Sequence, residues 1–106
     1  MKSLKNKTID FPLEQAGEHL ARCVYEEKLA VIEQNSTVIG DTFSALNKIK
    51  DGSVDLLIVD PPYNLDKDFH GNGFKKQSNE KYAVYTKKWI DAVKPKLKDT
   101  ASIYVC

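Results

Sequence analysis

The residues best suited to chemistry are Asp60, Pro61, Pro62 and Tyr63, which follow directly on the apolar run Val54-Asp-Leu-Leu-Ile-Val59. Asp60 precedes a proline and is pushed out of the α region into an extended conformation. Pro61 and Pro62 each have φ locked near about −65° and neither carries an N–H. The product is a stiff arm that offers only acceptors, the Asp60 carboxylate and the Pro61 carbonyl. Tyr63 adds a flat face of the kind on which a nucleobase stacks. Two fixed acceptors beside an aromatic plate suit the exocyclic amino group of a base. That nitrogen is a poor nucleophile because its lone pair is delocalised into the ring. Hydrogen bonds from both of its N–H groups would localise the lone pair, and the developing positive charge would sit beside a carboxylate. Preorganised groups of this type are worth about 3–4 kcal/mol each. The plainer reading of the tetrapeptide is a rigid turn after a strand.

The arm is followed by a lysine-rich stretch. Lys67, Lys75, Lys76 and Lys81 surround Phe69, His70 and Phe74, a composition that suits phosphate contact and closure over a base, or simply a solvated loop. The net charge of +1 hides a gradient. Residues 1–40 carry five basic and six acidic groups, residues 41–66 carry two and five, and residues 67–106 carry nine and four. An acidic middle ahead of a basic final third places a carboxylate next to an anion-facing surface. His70, without a partner, makes a weak general base. Two isolated cysteines, Cys23 and Cys106, and two isolated histidines make no metal site.

The elements that must position the arm are legible from periodicity. Residues 12–34 place Leu13, Ala16, Leu20, Val24 and Val31 at steps near three and four, which predicts an amphipathic helix opened by Pro12 and weakened at Gly17. This helix is expected to serve packing or a homodimer contact. Thr37–Asp41 reads as a short strand and 42–50 as a helix with Phe43, Leu46 and Ile49 on one face, stopped by Asp51-Gly52. Residues 54–59 read as a strand buried on both faces of a parallel sheet. A connection of 19 residues, 60–78, is too long for an ordinary link inside a compact domain, which points to function or mobility. Ser78 caps a helix whose inner face is Tyr82, Tyr85, Trp89 and Val93, ending near Pro95, and 101–106 reads as a third strand. The fold class is therefore α/β, a three-strand parallel sheet segment in the order β-α-β-loop-α-β behind an N-terminal helix. Ligands in such sheets bind outside the carboxyl ends of the strands, where the arm lies.

With these residues in hand the sequence resembles the amino-methylating DNA methyltransferases. The resemblance is carried by TVIGD (37–41), FSALNKI (43–49), SVDLLIVDPPYNL (53–65), KKWIDAV (87–93) and SIYVC (102–106), about residues 36–106. It is closest to the group whose catalytic motif precedes its cofactor motif. It implies a partial Rossmann-like methyltransferase fold, with 1–35 as an N-terminal helical extension and 36–106 as the catalytic half of the domain. It further implies S-adenosylmethionine as cofactor, double-stranded DNA as partner and a flipped base as acceptor. Asp60, Pro61, Pro62 and Tyr63 are the implied catalytic residues. Asp41 and Asp60 are implied to face the cofactor, although Asp41 serves equally as a helix N-cap. Asn64 and Leu65 continue the motif and line the site, and Asn64, Lys67, Lys75 and Lys76 extend it toward DNA. Asp rather than Ser at position 60 suits adenine N6 over cytosine N4.

The family's glycine-rich F-x-G-x-G cofactor motif is absent, and Gly71-Asn-Gly73 follows no strand and does not replace it. The missing motif is expected downstream of Cys106 or on a complementing chain, since the sequence ends within an apolar strand. Two other readings compete with DNA methylation. One is an RNA or protein methyltransferase, disfavoured because those families place the glycine motif first. The other is an inert fragment that binds nucleic acid weakly. The composition, with 42% hydrophobic and 29% charged residues, excludes a disordered or disulfide-scaffold chain. No apolar run approaches a membrane span and no signal-peptide core follows the basic start, so a cytoplasmic, non-membrane protein is expected.

Overall fold

The computed structural model describes residues 12–64 and 75–106 in full and the backbone of 67–69 and 72–74. The helices are α1 (Ala16–Ala21), α2 (Thr42–Leu46) and α3 (Asn79–Val93). The strands are β1 (Cys23–Tyr25), β2 (Thr37–Ile39), β3 (Val54–Val59), β4 (Lys67–Phe69), β5 (Asn72–Phe74) and β6 (Leu97–Val105).

The largest unit is β3–α3–β6. The two strands are parallel, which requires a crossover, and the 15-residue helix α3 supplies it. Their register pairs Leu56 with Ser102, Leu57 with Ile103, Ile58 with Tyr104 and Val59 with Val105, after an irregularity between Val54 and Leu56. Lys98 bonds Asp55 at 2.9 Å and Lys96 bonds Asp51 at 2.6 Å, pinning the start of the ladder. At its other end the Cys106 N–H donates to the Val59 carbonyl at 2.9 Å, so the ladder runs to the residue before Asp60. Helix α3 starts where Ser78 accepts from the Lys81 N–H at 3.3 Å and turns Val93, Trp89, Tyr85 and Tyr82 inward, as the apolar spacing requires. Val93 is 8% exposed and is the core of the described residues.

Among the described residues the strands form two-stranded sheets instead of a single three-strand sheet. β2 pairs in parallel with β1, through Cys23–Thr37, Val24–Val38 and Tyr25–Ile39, and β3 pairs with β6. The strand expected at 101–106 begins four residues earlier, at Leu97. The amphipathic helix expected over 12–34 is replaced by a 3₁₀ turn at Leu13–Gln15, the six-residue α1, β1 and a second 3₁₀ turn at Glu26–Lys28. The physical reason is that its stripe finds no surface: Leu13 and Leu20 are 87% and 56% exposed. Val24 and Tyr25 instead satisfy a strand preference by pairing with β2. Helix α2 is shorter than 42–50, with Asn47 as its C-cap, and Gly52 takes φ +63° in the turn into β3, as Asp51-Gly52 implies. The connection after the arm carries an antiparallel hairpin, β4 with β5.

Gly40 sits where β2 meets the second 3₁₀ turn. A Cβ there would lie 2.4 Å from the Glu26 Cβ, so only glycine fits. Behind it Lys48 reaches the Glu26 carboxylate at 2.5 Å and the Glu26 carbonyl at 2.7 Å, joining the β1–β2 unit to the end of α2.

Candidate active site

The arm leaves the carboxyl end of β3 and enters a small cavity of about 140 Å3. Phe43 and Leu46 of α2 line it on one side, Tyr85 and Trp89 of α3 on another, and Asp60, Pro61 and Pro62 form its mouth. The Asp60 side chain is exposed, and Tyr63 beyond it is 48% exposed. Lys88 lies over the Phe43 ring at 4.3 Å, a cation–π contact that ties α3 to α2 beside this mouth.

Because neither proline has an N–H, the arm must be held by donors from elsewhere. Two come from the start of α3. The Tyr82 hydroxyl donates to the Pro62 carbonyl at 2.8 Å. The Asn64 side-chain amide donates to the Gln77 carbonyl at 2.9 Å and accepts from the Gln77 N–H at 2.8 Å. Tyr82 itself stacks on Tyr85, with ring centroids 6.2 Å apart. Burial and then the neighbouring Tyr82 push the Tyr85 phenol above its ordinary pKa of 10.0.

Asp41, at the end of β2, caps α2: its Oδ2 accepts from the Ser44 N–H at 2.8 Å. The N-cap reading of this residue is thus realised with one oxygen. Thr42 and Phe43, the next two residues, line the same cavity as Asp60, so the ends of β2 and β3 contribute to one place. Lys75 and Lys76 are exposed just ahead of α3. Leu65, His70 and Gly71 and the side chains of Lys67, Phe69 and Phe74 lie outside the described residues. Tyr82 and Gln77 are the participants that sequence reasoning misses as site residues. Tyr82 is legible only as a position on the inner face of a helix, and its partner lies 20 residues away. Among the described residues no group of three or more His, Cys, Asp or Glu could hold a metal ion. No helix among them is long and apolar enough to cross a membrane.

Residues 54–106, which include β3, the arm, α3 and β6, match the N6/N4 family described as DNA methylase. Three curated proteins are similar to the chain. The type II methyltransferase M.HpaI of Haemophilus parainfluenzae is 32% identical over 68 residues, 64% of this chain and 21% of that protein. The type II methyltransferase M1.MboII of Moraxella bovis is 32% identical over 75 residues, 71% of this chain and 28% of that protein. The type II methyltransferase M.BamHI of Bacillus amyloliquefaciens is 33% identical over 66 residues, 62% of this chain and 16% of that protein. The chain therefore spans well under a third of each relative. No solved structure matches it.

Proposed function

From the premise that the chain belongs to the N6/N4 DNA methylase family, we propose that it forms the catalytic half of a methyltransferase that methylates adenine N6 in double-stranded DNA. One observation carries the reading: an Asp-Pro-Pro-Tyr arm, whose prolines carry no N–H, at the carboxyl end of β3 and lining an aromatic-walled cavity. In this reading residues 36–106 are the catalytic half and 1–35 an extension.

S-adenosylmethionine, when bound, supplies a methyl group on a cationic sulfur. The residues present fit its reactive end. Asp60 is the one carboxylate lining the cavity and suits a nearby cation, and Phe43, Tyr85 and Trp89 exclude water. The cavity of about 140 Å3 falls below the roughly 300–1,000 Å3 of a complete small-molecule site, so further surface must enclose the rest. Asp41 would hold the cofactor with Oδ1, its Oδ2 being taken by Ser44.

The remaining chemistry belongs to the arm. The Asp60 carboxylate and Pro61 carbonyl accept the two N–H groups of the target amine, turn its lone pair toward the cavity and hold it there. As the N–C bond forms and the S–CH3 bond breaks to leave a neutral thioether, the nitrogen becomes cationic beside Asp60, whose carboxylate stabilises that charge until the proton passes to water. Tyr63 stacks on the extruded base. Asn64, Lys67, Lys75 and Lys76 stand on the DNA side, the lysines as phosphate contacts.

The test is Asp60→Ala in the full-length protein, with methyl incorporation into unmethylated genomic DNA and the methylated nucleoside identified by mass spectrometry. A loss of at least 100-fold in kcat with DNA retention intact is expected, with N6-methyladenine as the wild-type product. Activity surviving in Asp60→Ala overturns the mechanism. N4-methylcytosine as the product overturns the choice of base.

A further inference from the structure

We propose that Tyr82 is a positioning residue for the acceptor arm, acting together with an Asn64–Gln77 bridge to decide which backbone carbonyl the arm offers. The proposal rests on the methyl-transfer reading above and deepens it.

The arm is anchored at three points. The first is the Cys106 N–H on the Val59 carbonyl, immediately before Asp60. The second is the Tyr82 hydroxyl on the Pro62 carbonyl at 2.8 Å. The third is the two-bond bridge between the Asn64 side chain and the Gln77 backbone at 2.9 and 2.8 Å, which fixes the amide plane as well as its distance. Between the first and second anchors lie only Asp60 and Pro61, the two residues whose oxygens the chemistry needs.

The arm contains two consecutive carbonyls of prolines, those of Pro61 and Pro62, and only one can serve the amine. Pro61 itself precedes a proline and is confined to extended conformations, where the chain advances about three residues per turn. Successive carbonyls then point roughly 120° apart. Binding the Pro62 carbonyl into α3 therefore turns the Pro61 carbonyl away from that helix. A tyrosine is suited to this task. Its hydroxyl donates without carrying a charge that would compete with Asp60, and its ring is seated against Tyr85.

The anchors share a rigid base. Gln77 immediately precedes Ser78, the N-cap of α3, and the Tyr82 N–H donates to the Ser78 carbonyl at 2.9 Å. Tyr82 thus rides on the first turn, and Gln77 stands just ahead of the cap, of the 15-residue helix that also walls the cavity with Tyr85 and Trp89. The bridge joins residues 13 apart, so it also closes the base of the connection that carries β4 and β5. A change in that connection would pass to the arm through Asn64.

The test is Tyr82→Phe in the full-length protein, which keeps the ring and removes only the hydroxyl. Steady-state methyl transfer from S-adenosylmethionine to unmethylated genomic DNA is measured beside DNA affinity and thermal midpoint. The expected result is a kcat about 10-fold lower, with KM for S-adenosylmethionine and Kd for DNA within twofold of wild type. Asn64→Asp, which removes the donor to the Gln77 carbonyl, is expected to lower kcat at saturating DNA about as much, and is read by kcat alone because Asn64 also stands on the DNA side. The double variant should lose less than the product of the two single losses, because both act on one arm. An unchanged kcat in Tyr82→Phe while Asp60→Ala is inactive overturns the positioning role and leaves the methyl-transfer reading standing. Loss of DNA and cofactor affinity in step with kcat, or a lower thermal midpoint with kcat unchanged, assigns the bond to general stability and also overturns it. If Tyr82→Phe does not fold, Asn64→Asp carries the same comparison, and an unchanged kcat there overturns the proposal.

Discussion

Tyr85 faces the same cavity as Asp60 but cannot share its exposure to water. Burial, then Tyr82, raises its pKa above 10.0. The raised value favours the neutral phenol in the folded chain. Below pH 10.0 the group is neutral in both folded and unfolded states and costs nothing. As pH rises from 10.0 through the folded value, the unfolded chain ionises first and stability is lost. Alkaline unfolding should therefore gain a component that Tyr85→Phe removes, and the ultraviolet titration of that variant should lack one tyrosine that ionises above pH 10.0. An unchanged alkaline profile in Tyr85→Phe would contradict the assignment. Asp60 is thus exposed to water while the half-buried Tyr85 lines the same cavity.

At the scale of elements, the short α2 depends on its cap. Five residues cannot sustain a helix by propagation, so the Asp41–Ser44 bond is a large share of what holds Phe43 and Leu46 on the cavity. Asp41→Ala should cost about 1 kcal/mol in chemical denaturation, whereas Asp41→Ser, which preserves a capping oxygen, should cost little. The serine variant also separates the cap from the proposed cofactor contact. It should raise KM for S-adenosylmethionine at nearly unchanged stability, and an unchanged KM would leave Asp41 as a cap alone. Gly40→Ala should destabilise more than Asp41→Ala, because its Cβ would have to displace Glu26 and with it the Lys48 contacts. These elements also show what a sequence can disclose. Ser78 with its capped helix, the inward Tyr82–Val93 stripe, the Asp51-Gly52 turn and the arm after β3 are all encoded within a few residues and were legible. The pairing of β2 with β1 depends on a partner strand 14 residues away, and the Tyr82–Pro62 bond on one 20 away. Spacing alone gave no sign of either, and at residues 12–34 it suggested a helical stripe where no surface exists to receive one.

The whole molecule exposes what an isolated domain would hide. Its accessible surface is 9,163 Å2, whereas size scaling gives about 6,000 Å2 for a compact monomer of 12.0 kDa. Part of this surface is apolar side chain on the best-formed unit, the β3–β6 pair. On the face of β3–β6 turned to α3, an apolar cavity of about 500 Å3 lies among Leu57, Trp89, Val93 and Ile103. On the opposite face Leu56, Ile58 and Tyr104 are 52%, 66% and 63% exposed, with no helix of the described residues over them. A sheet of two parallel strands is normally covered on both faces, and these side chains are apolar enough to demand it. Measured alone, the 106-residue chain should bind a hydrophobic dye strongly and unfold over a broad denaturant range. Its slope should fall below the roughly 1–3 kcal/mol/M in urea of small compact proteins. A longer protein that supplies the covering surface should bind little dye and unfold sharply. A sharp transition and no dye binding by the 106-residue chain would show that it covers its own sheet, and the enclosure of the cofactor by further surface would then lose its physical basis.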